Sequence, residues 1–118
     1  MPHDFFQVEQ VGPAHLVKLT LPQSMDSEEF DRLNEQMLHV FTAQPKARWV
    51  LDLTGLNYMG SSALGLMVNI RQRIKQSGGQ LVLCGLSQRL SHIFQTCCME
   101  RLFKITRTCD DALRLVAD

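Results

Sequence analysis

Residues 49–65 read Trp49-Val-Leu-Asp-Leu-Thr-Gly-Leu-Asn-Tyr-Met-Gly-Ser-Ser-Ala-Leu-Gly65, and the rest of the chain is arranged around this segment. Its first five residues are apolar apart from Asp52, which is typical of a strand buried inside a sheet. Turn-forming residues follow at Thr54, Gly55 and Asn57, so we expect the chain to bend there. The segment therefore predicts a buried strand and a loop that ends at two adjacent serines.

A helix is predicted immediately after this loop. Apolar residues recur there at three- and four-residue steps: Ala63, Leu66, Met67, Ile70 and Ile74. This period is that of a helix with one buried face. Gly78 follows and can adopt the left-handed conformation that closes a helix. Ser61 and Ser62 therefore lie where the helix begins.

Two interpretations of Ser61 and Ser62 follow from this position. The first backbone N–H groups of a helix lack intrahelical partners, and the helix dipole places partial positive charge there. A serine hydroxyl at this point can cap the helix, which is the interpretation that spacing alone favours. The same point accommodates an added phosphate without harm to the fold. Spacing leaves both interpretations open.

The remaining segments predict an α/β fold. Alternating residues at 5–11 and 14–20 predict a hairpin, and residues 21–25 predict a loop. Further strands are expected at 80–84 and 103–106, with helices beginning at Asp26 or Ser27, at Ser87 and after Thr108. Helices that alternate with strands indicate parallel strands joined by crossovers. We expect one domain over residues 1–118, with a mixed four- to five-stranded sheet, an N-terminal hairpin and about four flanking helices.

The composition argues against several kinds of partner. The chain has 118 residues, with 12 Lys plus Arg against 12 Asp plus Glu. A net charge of zero favours neither nucleic acid nor an anionic membrane surface. No apolar stretch approaches the ~20 residues of a membrane span, and the first residues lack the pattern of a signal peptide. We therefore expect a cytoplasmic protein.

The sequence predicts no catalytic residue, no cofactor and no metal site. The four cysteines contain no C-x-x-C pair, and no histidine lies beside them at zinc-ligand spacing. Glycine motifs that cradle phosphate are absent, and so are paired carboxylates suited to acid–base chemistry. These observations favour a binding protein over an enzyme.

The chain resembles STAS domains, the anti-sigma-factor antagonists. The resemblance rests first on residues 52–66, Asp52-Leu-Thr-Gly-Leu-Asn-Tyr-Met-Gly-Ser-Ser-Ala-Leu-Gly-Leu. The usual form in that family is a strand, D-S-[ST]-G-L-G and a helix. Similarity continues through Gly78-Gly-Gln-Leu-Val-Leu-Cys, then through Leu102-Phe-Lys-Ile and Asp110-Asp-Ala-Leu. It spans nearly the whole chain, in the family's order and at its spacings.

The resemblance implies a binding protein that is switched by phosphorylation. In the family, the first serine of the motif is phosphorylated by an anti-sigma factor that is also a serine kinase of the histidine-kinase-like ATPase type. A serine phosphatase resets the switch. Carried onto this chain, the phosphoacceptor is Ser61, with Ser62 as the second choice. The expected partner-binding residues are Gln23, Ser24, Met25, Met59, Gly60, Ser61, Ser62 and Leu64.

The chain departs from the family pattern at several positions. Gly60 stands where the family commonly has Asp, and Ala63 replaces a common Gly. Residues 21–24 lack the usual Gly-x-x-Asp, and Cys98 stands where a helix-ending Gly is frequent. These departures keep a second hypothesis open, a STAS interaction subunit of a transporter ATPase or a signalling assembly that is not phosphorylated. An enzyme or small-molecule binder on the same scaffold is the third and weakest hypothesis.

Overall fold

The computed structural model describes residues 5–22 and 25–117, and these form one five-stranded sheet. The strands are β1 (Phe6–Val11), β2 (Ala14–Leu19), β3 (Arg48–Asp52), β4 (Gln80–Cys84) and β5 (Lys104–Thr106), and they lie side by side in chain order. β1 is antiparallel to β2, while the other neighbouring strands are parallel. The predicted hairpin and mixed sheet are confirmed.

The same residues form four α-helices, which confirms the predicted α/β class. They are α1 (Ser27–Thr42), α2 (Ser61–Gln76), α3 (Gln88–Thr96) and α4 (Cys109–Ala117), and a single 3₁₀ turn, Met99–Arg101, precedes β5. In the ranges that the structure describes, no helix is long and apolar enough to cross a membrane.

The sheet separates two hydrophobic cores because successive strand residues face opposite sides. Along β3, Trp49 and Leu51 belong to a larger core, whereas Val50 belongs to a smaller one. The helices α1, α2 and α3 contribute their buried residues to the larger core, and α4 contributes Ala112 and Val116 to the smaller one. Both faces of β3 are thereby covered, which explains why its residues from Trp49 to Leu51 are all apolar.

Helix starts follow the predicted signals in two cases and differ in a third. Asp26 caps α1 in a capping box, with its carboxylate accepting from the Glu29 N–H at 2.8 Å. Ser87 caps α3 by accepting from the Leu90 N–H at 3.0 Å. The expectation that Ser61 or Ser62 caps α2 is wrong, because the N-cap is Gly60. Its backbone has the extended conformation that a cap requires (φ −82°, ψ 178°), and the two serines already lie within the first turn.

Left-handed residues close two of the helices. Gly78 follows α2 with φ +79°, as its position predicts. Cys98 follows α3 with φ +57°, at the position where the resemblance to STAS domains implies a glycine. A non-glycine residue costs roughly 1–2 kcal/mol in this conformation. This departure therefore weakens the end of α3 without changing its path.

Candidate functional site

Residues 20–22, which follow β2, and the loop that precedes α2 lie side by side at one edge of the sheet. The parallel strands β2 and β3 end at this edge, and crossover topology places ligands and partners there. A Cβ atom on Gly55, in the loop after β3, would lie 3.3 Å from Cγ2 of Thr20, which follows β2. The chain after β2 is thus in contact with the loop that leads to Ser61.

Ser61 is exposed and is the first residue of α2. The first bond of the helix runs from the Leu64 N–H to the Gly60 carbonyl oxygen at 3.0 Å, so the N–H groups of residues 61–63 have no intrahelical acceptor. Within the described ranges, the Ser61 hydroxyl has no hydrogen-bond partner. An unengaged hydroxyl at the positive end of a helix dipole is chemically suited to carry an anionic group.

Ser62 is also exposed, but its surroundings differ. It lines a shallow cleft of about 290 Å³ together with Met25, Asp26, Ser27, Phe30 and Asp31. The structure therefore brings Met25 next to the start of α2, as the sequence predicts. Two carboxylates line the same cleft, so its charge is negative on the α1 side.

The other predicted partner-binding residues have different fates. Met59 is only 3% exposed and lies in the larger core, so its side chain does not reach a partner. Met59 precedes the N-cap, and Leu64 is half-buried at the fourth helical position. These are the two positions of a hydrophobic staple. The assignment of Met59 to the binding face is corrected accordingly. Gly60 is half-buried. Gln23 and Ser24 lie outside the described residues.

Sequence reasoning missed two residues near the start of α2, Tyr58 and Arg89. Tyr58 is 58% exposed, and its ring lies next to Gly60, 3.8 Å from where a Cβ atom would stand. The Arg89 guanidinium lies 5.6 Å from the centre of that ring, within the range of a cation–π contact. Both residues line a cleft of about 480 Å³ together with Leu21, Pro22, Gly55, Leu56 and Asn57. Tyr58 is the only tyrosine of the chain and lies in a predicted turn, and this could have indicated an exposed contact residue. Nothing in the sequence distinguishes Arg89 from the other arginines.

A second polar group lies at the same edge but on the face covered by α4. It consists of Asp52, Cys84 and Cys109, whose ligand atoms all lie within 4.8 Å of one another. The two sulfur atoms are 2.8 Å apart. Burial raises the pKa of both thiols, and the contact with Cys109 and the charge of Asp52 further raise the pKa of Cys84. The sequence predicted no such group because its members belong to three separate elements.

The family of the chain is decided by its match over most of its length. The model of the STAS domain family matches residues 6–112. The chain belongs to the STAS domain family. The resemblance identified in the sequence is therefore confirmed.

Two characterised relatives of this STAS domain are anti-sigma factor antagonists by name. The anti-sigma-B factor antagonist of Listeria monocytogenes serovar 1/2a is 34% identical over 61 residues, which is 52% of this chain and 54% of that protein. The match thus spans about half the length of that relative. The anti-sigma F factor antagonist of Paenibacillus polymyxa is 24% identical over 112 residues, covering 95% of this chain and 93% of that protein.

Solved structures share the fold. An anti-sigma-factor antagonist (STAS) domain protein from Planctomyces limnophilus superimposes with a TM-score of 0.82 at 21% identity, covering 96% of this chain and 98% of that one. The Bacillus cell fate determinant SpoIIAA in its phosphorylated form superimposes with a TM-score of 0.64 at 18% identity, covering 94% and 98%. At these identities the likeness establishes the fold alone.

Proposed function

We propose that this STAS domain is an anti-sigma-factor-antagonist-like binding protein, switched by phosphorylation of Ser61. The kinase would be a partner anti-sigma factor of the histidine-kinase-like ATPase type, and a serine phosphatase would reverse the reaction. The observation that carries the proposal is the exposed, unengaged Ser61 hydroxyl at the start of α2. The names of the two relatives support the class of partner, and the phosphorylated form of SpoIIAA supports the type of switch.

Charge favours Ser61 over Ser62 as the phosphoacceptor. A phosphoserine carries about −1.5 to −2 charges at neutral pH. On Ser62 this charge would enter the cleft lined by Asp26 and Asp31, where like charges repel. Ser61 does not line that cleft, and its phosphate would meet the positive end of the α2 dipole.

The switch would act on binding and not on folding. The phosphate adds charge and bulk at the centre of a face that must otherwise lie against the partner. Each ~1.4 kcal/mol lost there lowers the affinity tenfold. Because the helix start tolerates the anion, the free energy of unfolding should change little.

Gly60 favours a second candidate function. The family's usual carboxylate next to the acceptor is missing, and no other acid replaces it in residues 58–64. A STAS interaction subunit that works without phosphorylation, for instance with a transporter ATPase or a signalling assembly, would need no such acid.

Intact-mass measurement separates the two candidates. The chain is incubated with Mg²⁺, ATP and the anti-sigma factor kinases of its own genome. The proposal expects addition of one phosphate to the wild type and to Ser62→Ala, and none to Ser61→Ala. Absence of phosphate on the wild type, from a kinase that binds it, would favour the unphosphorylated interaction subunit.

The substitution Ser61→Asp tests the role of charge directly. We expect the free energy of unfolding to stay within about 1 kcal/mol of the wild type, because an acid in the first helical turn is benign or favourable. Binding to the kinase partner should be lost in titration calorimetry. Ser61→Ala is the matched control and should keep binding. An aspartate variant that unfolds would mean that Ser61 is structural, and one that binds normally would remove the switch.

A further inference from the structure

We propose that Asp52, Cys84 and Cys109 form a binding site for a thiophilic divalent cation of the Zn²⁺ class. Two sulfur ligands and one carboxylate oxygen lie within 4.8 Å of one another. Thiolate and carboxylate are ligands that Zn²⁺ accepts, with Zn–S distances of about 2.3 Å and Zn–O distances of about 2.0–2.2 Å. Three protein ligands leave a fourth position, which water can fill because Cys109 is half-buried.

The fold holds the three ligands on rigid elements. Asp52 and Cys84 are paired opposite each other at the ends of the parallel strands β3 and β4. Cys109 is the first residue of α4, which packs on the same face of these strands. Asp52 is 9% exposed, and its carboxylate accepts a hydrogen bond from the Thr54 N–H at 2.9 Å. A cation here would therefore link two strands to the helix that covers them.

Ligation requires only a local adjustment. Tetrahedral geometry with two Zn–S bonds separates the sulfurs by about 3.8 Å. The Cys84 and Cys109 sulfurs are 2.8 Å apart, so one of them must move by about 1 Å on the Zn–S geometry. Cys109 lies at a half-buried helix start and can make this movement by rotation of its side chain.

Binding of the cation leaves the net charge of the group unchanged, which limits the cost of placing it in a partly buried position. One Zn²⁺ replaces two thiol protons, which leave to solvent as two H⁺, so the charge of the group is the same before and after binding. Two Zn–S bonds form and two S–H bonds break, and Asp52 remains a carboxylate throughout. A bound cation stabilises the two thiolates directly.

The carboxylate distinguishes this proposal from a simple disulfide. Oxidation of Cys84 and Cys109 would join the two sulfurs and release two electrons and two protons to an oxidant, and it would not use the Asp52 carboxylate as a ligand. A third ligand directed at two thiols is what a cation site needs. The negative charge of Asp110, which follows Cys109, further favours a cation.

Co²⁺ serves as the spectroscopic probe, followed by competition with Zn²⁺. The experiment uses the full chain carrying Cys97→Ser and Cys98→Ser, so that the two exposed cysteines do not bind the probe. It is run under a phosphine reductant. We expect thiolate-to-cobalt charge-transfer absorption that saturates at one Co²⁺ per chain and disappears when Zn²⁺ is added. Cys109→Ser in this background should lower the affinity by at least tenfold, since even outer-shell changes cost about 10–100-fold.

Three variants decide the outcome. Asp52→Asn keeps an acceptor for the Thr54 N–H and should weaken Co²⁺ binding while the fold is retained. Cys84→Ala should abolish the charge-transfer absorption. If that variant does not fold, the half-buried Cys109→Ser variant carries the test alone. The proposal is overturned if the folded background variant shows no charge-transfer absorption, or if Cys109→Ser binds Co²⁺ unchanged. It is equally overturned if, in a parallel sample without reductant and with equimolar Zn²⁺, mass spectrometry finds that a Cys84–Cys109 disulfide forms.

Discussion

Gly60 stands where the resemblance to the family's motif implies an aspartate, and its backbone allows that acid to be introduced. Its φ of −82° suits any residue, and a Cβ atom there would contact the Tyr58 ring at 3.8 Å, an ordinary distance. An aspartate could accept a hydrogen bond from the first turn of α2, as Asp26 does in α1. We expect Gly60→Asp to raise the free energy of unfolding by about 0.5–1 kcal/mol, measured by urea denaturation.

Gly60→Ala is the matched control for this substitution. It removes the same backbone freedom but supplies no acceptor, and alanine is a poor N-cap. A gain in stability as large for alanine as for aspartate would show that the carboxylate does not cap α2. Gly60→Asp should be phosphorylated faster than the wild type if the kinase recognises this carboxylate. An unchanged rate would show that the kinase does not require an acid at this position.

Single residues also show where sequence reasoning fails. The exposure of Ser61 follows from its place after a buried strand and a turn, and it was predictable. The N-cap was placed on a serine because hydroxyls outrank glycine at caps, yet backbone conformation assigns the cap to Gly60. Asp52, Cys84 and Cys109 meet only through strand pairing and helix packing, which no local spacing encodes.

At the scale of elements, substitutions in α4 test whether this helix covers a separate hydrophobic core. Val116 is fully buried against the sheet, while its neighbour Leu115 is 47% exposed. We expect Val116→Ala to lower the free energy of unfolding by about 2 kcal/mol, from lost burial plus a residual cavity. Leu115→Ala should stay within about 0.5 kcal/mol of the wild type. Urea denaturation measures both, and equal losses would mean that α4 packs in another rotation.

Most helices and strands could be predicted because the spacing of apolar residues differs between the two kinds of element. Both faces of β3 are covered by helices, and an apolar run is typical of such a central strand. The start of α1 was predicted from Asp26 and Glu29, which form its capping box. The boundaries were less certain at the last strand, where Phe103 was included but β5 begins at Lys104. The ring of Phe103 turns into the larger core and packs against Phe94, so its apolar character reflects core packing and not strand pairing.

For the whole molecule, the question is which part of the surface binds the partner. The described residues include five large hydrophobic side chains that are exposed: Val8, Tyr58, Leu102, Ile105 and Leu115. Tyr58 belongs to the loop that leads to Ser61, and it lines the cleft beside Arg89. Exposed aromatic residues and arginines are frequent binding hot spots. Tyr58 and Arg89 therefore offer the surface around Ser61 a large contact area that the small serine side chain lacks.

Tyr58→Ala should therefore weaken binding to the kinase partner by at least tenfold, or about 1.4 kcal/mol, in titration calorimetry. Its effect on the free energy of unfolding should remain small, because the ring is 58% exposed. Leu115→Ala removes a similarly exposed side chain on α4, across the sheet from α2, and should leave the affinity unchanged. If the loss of affinity follows Leu115 instead, the partner binds the α4 face. A charge at Ser61 could then act on binding only from a distance, and the switch would have to work through the sheet.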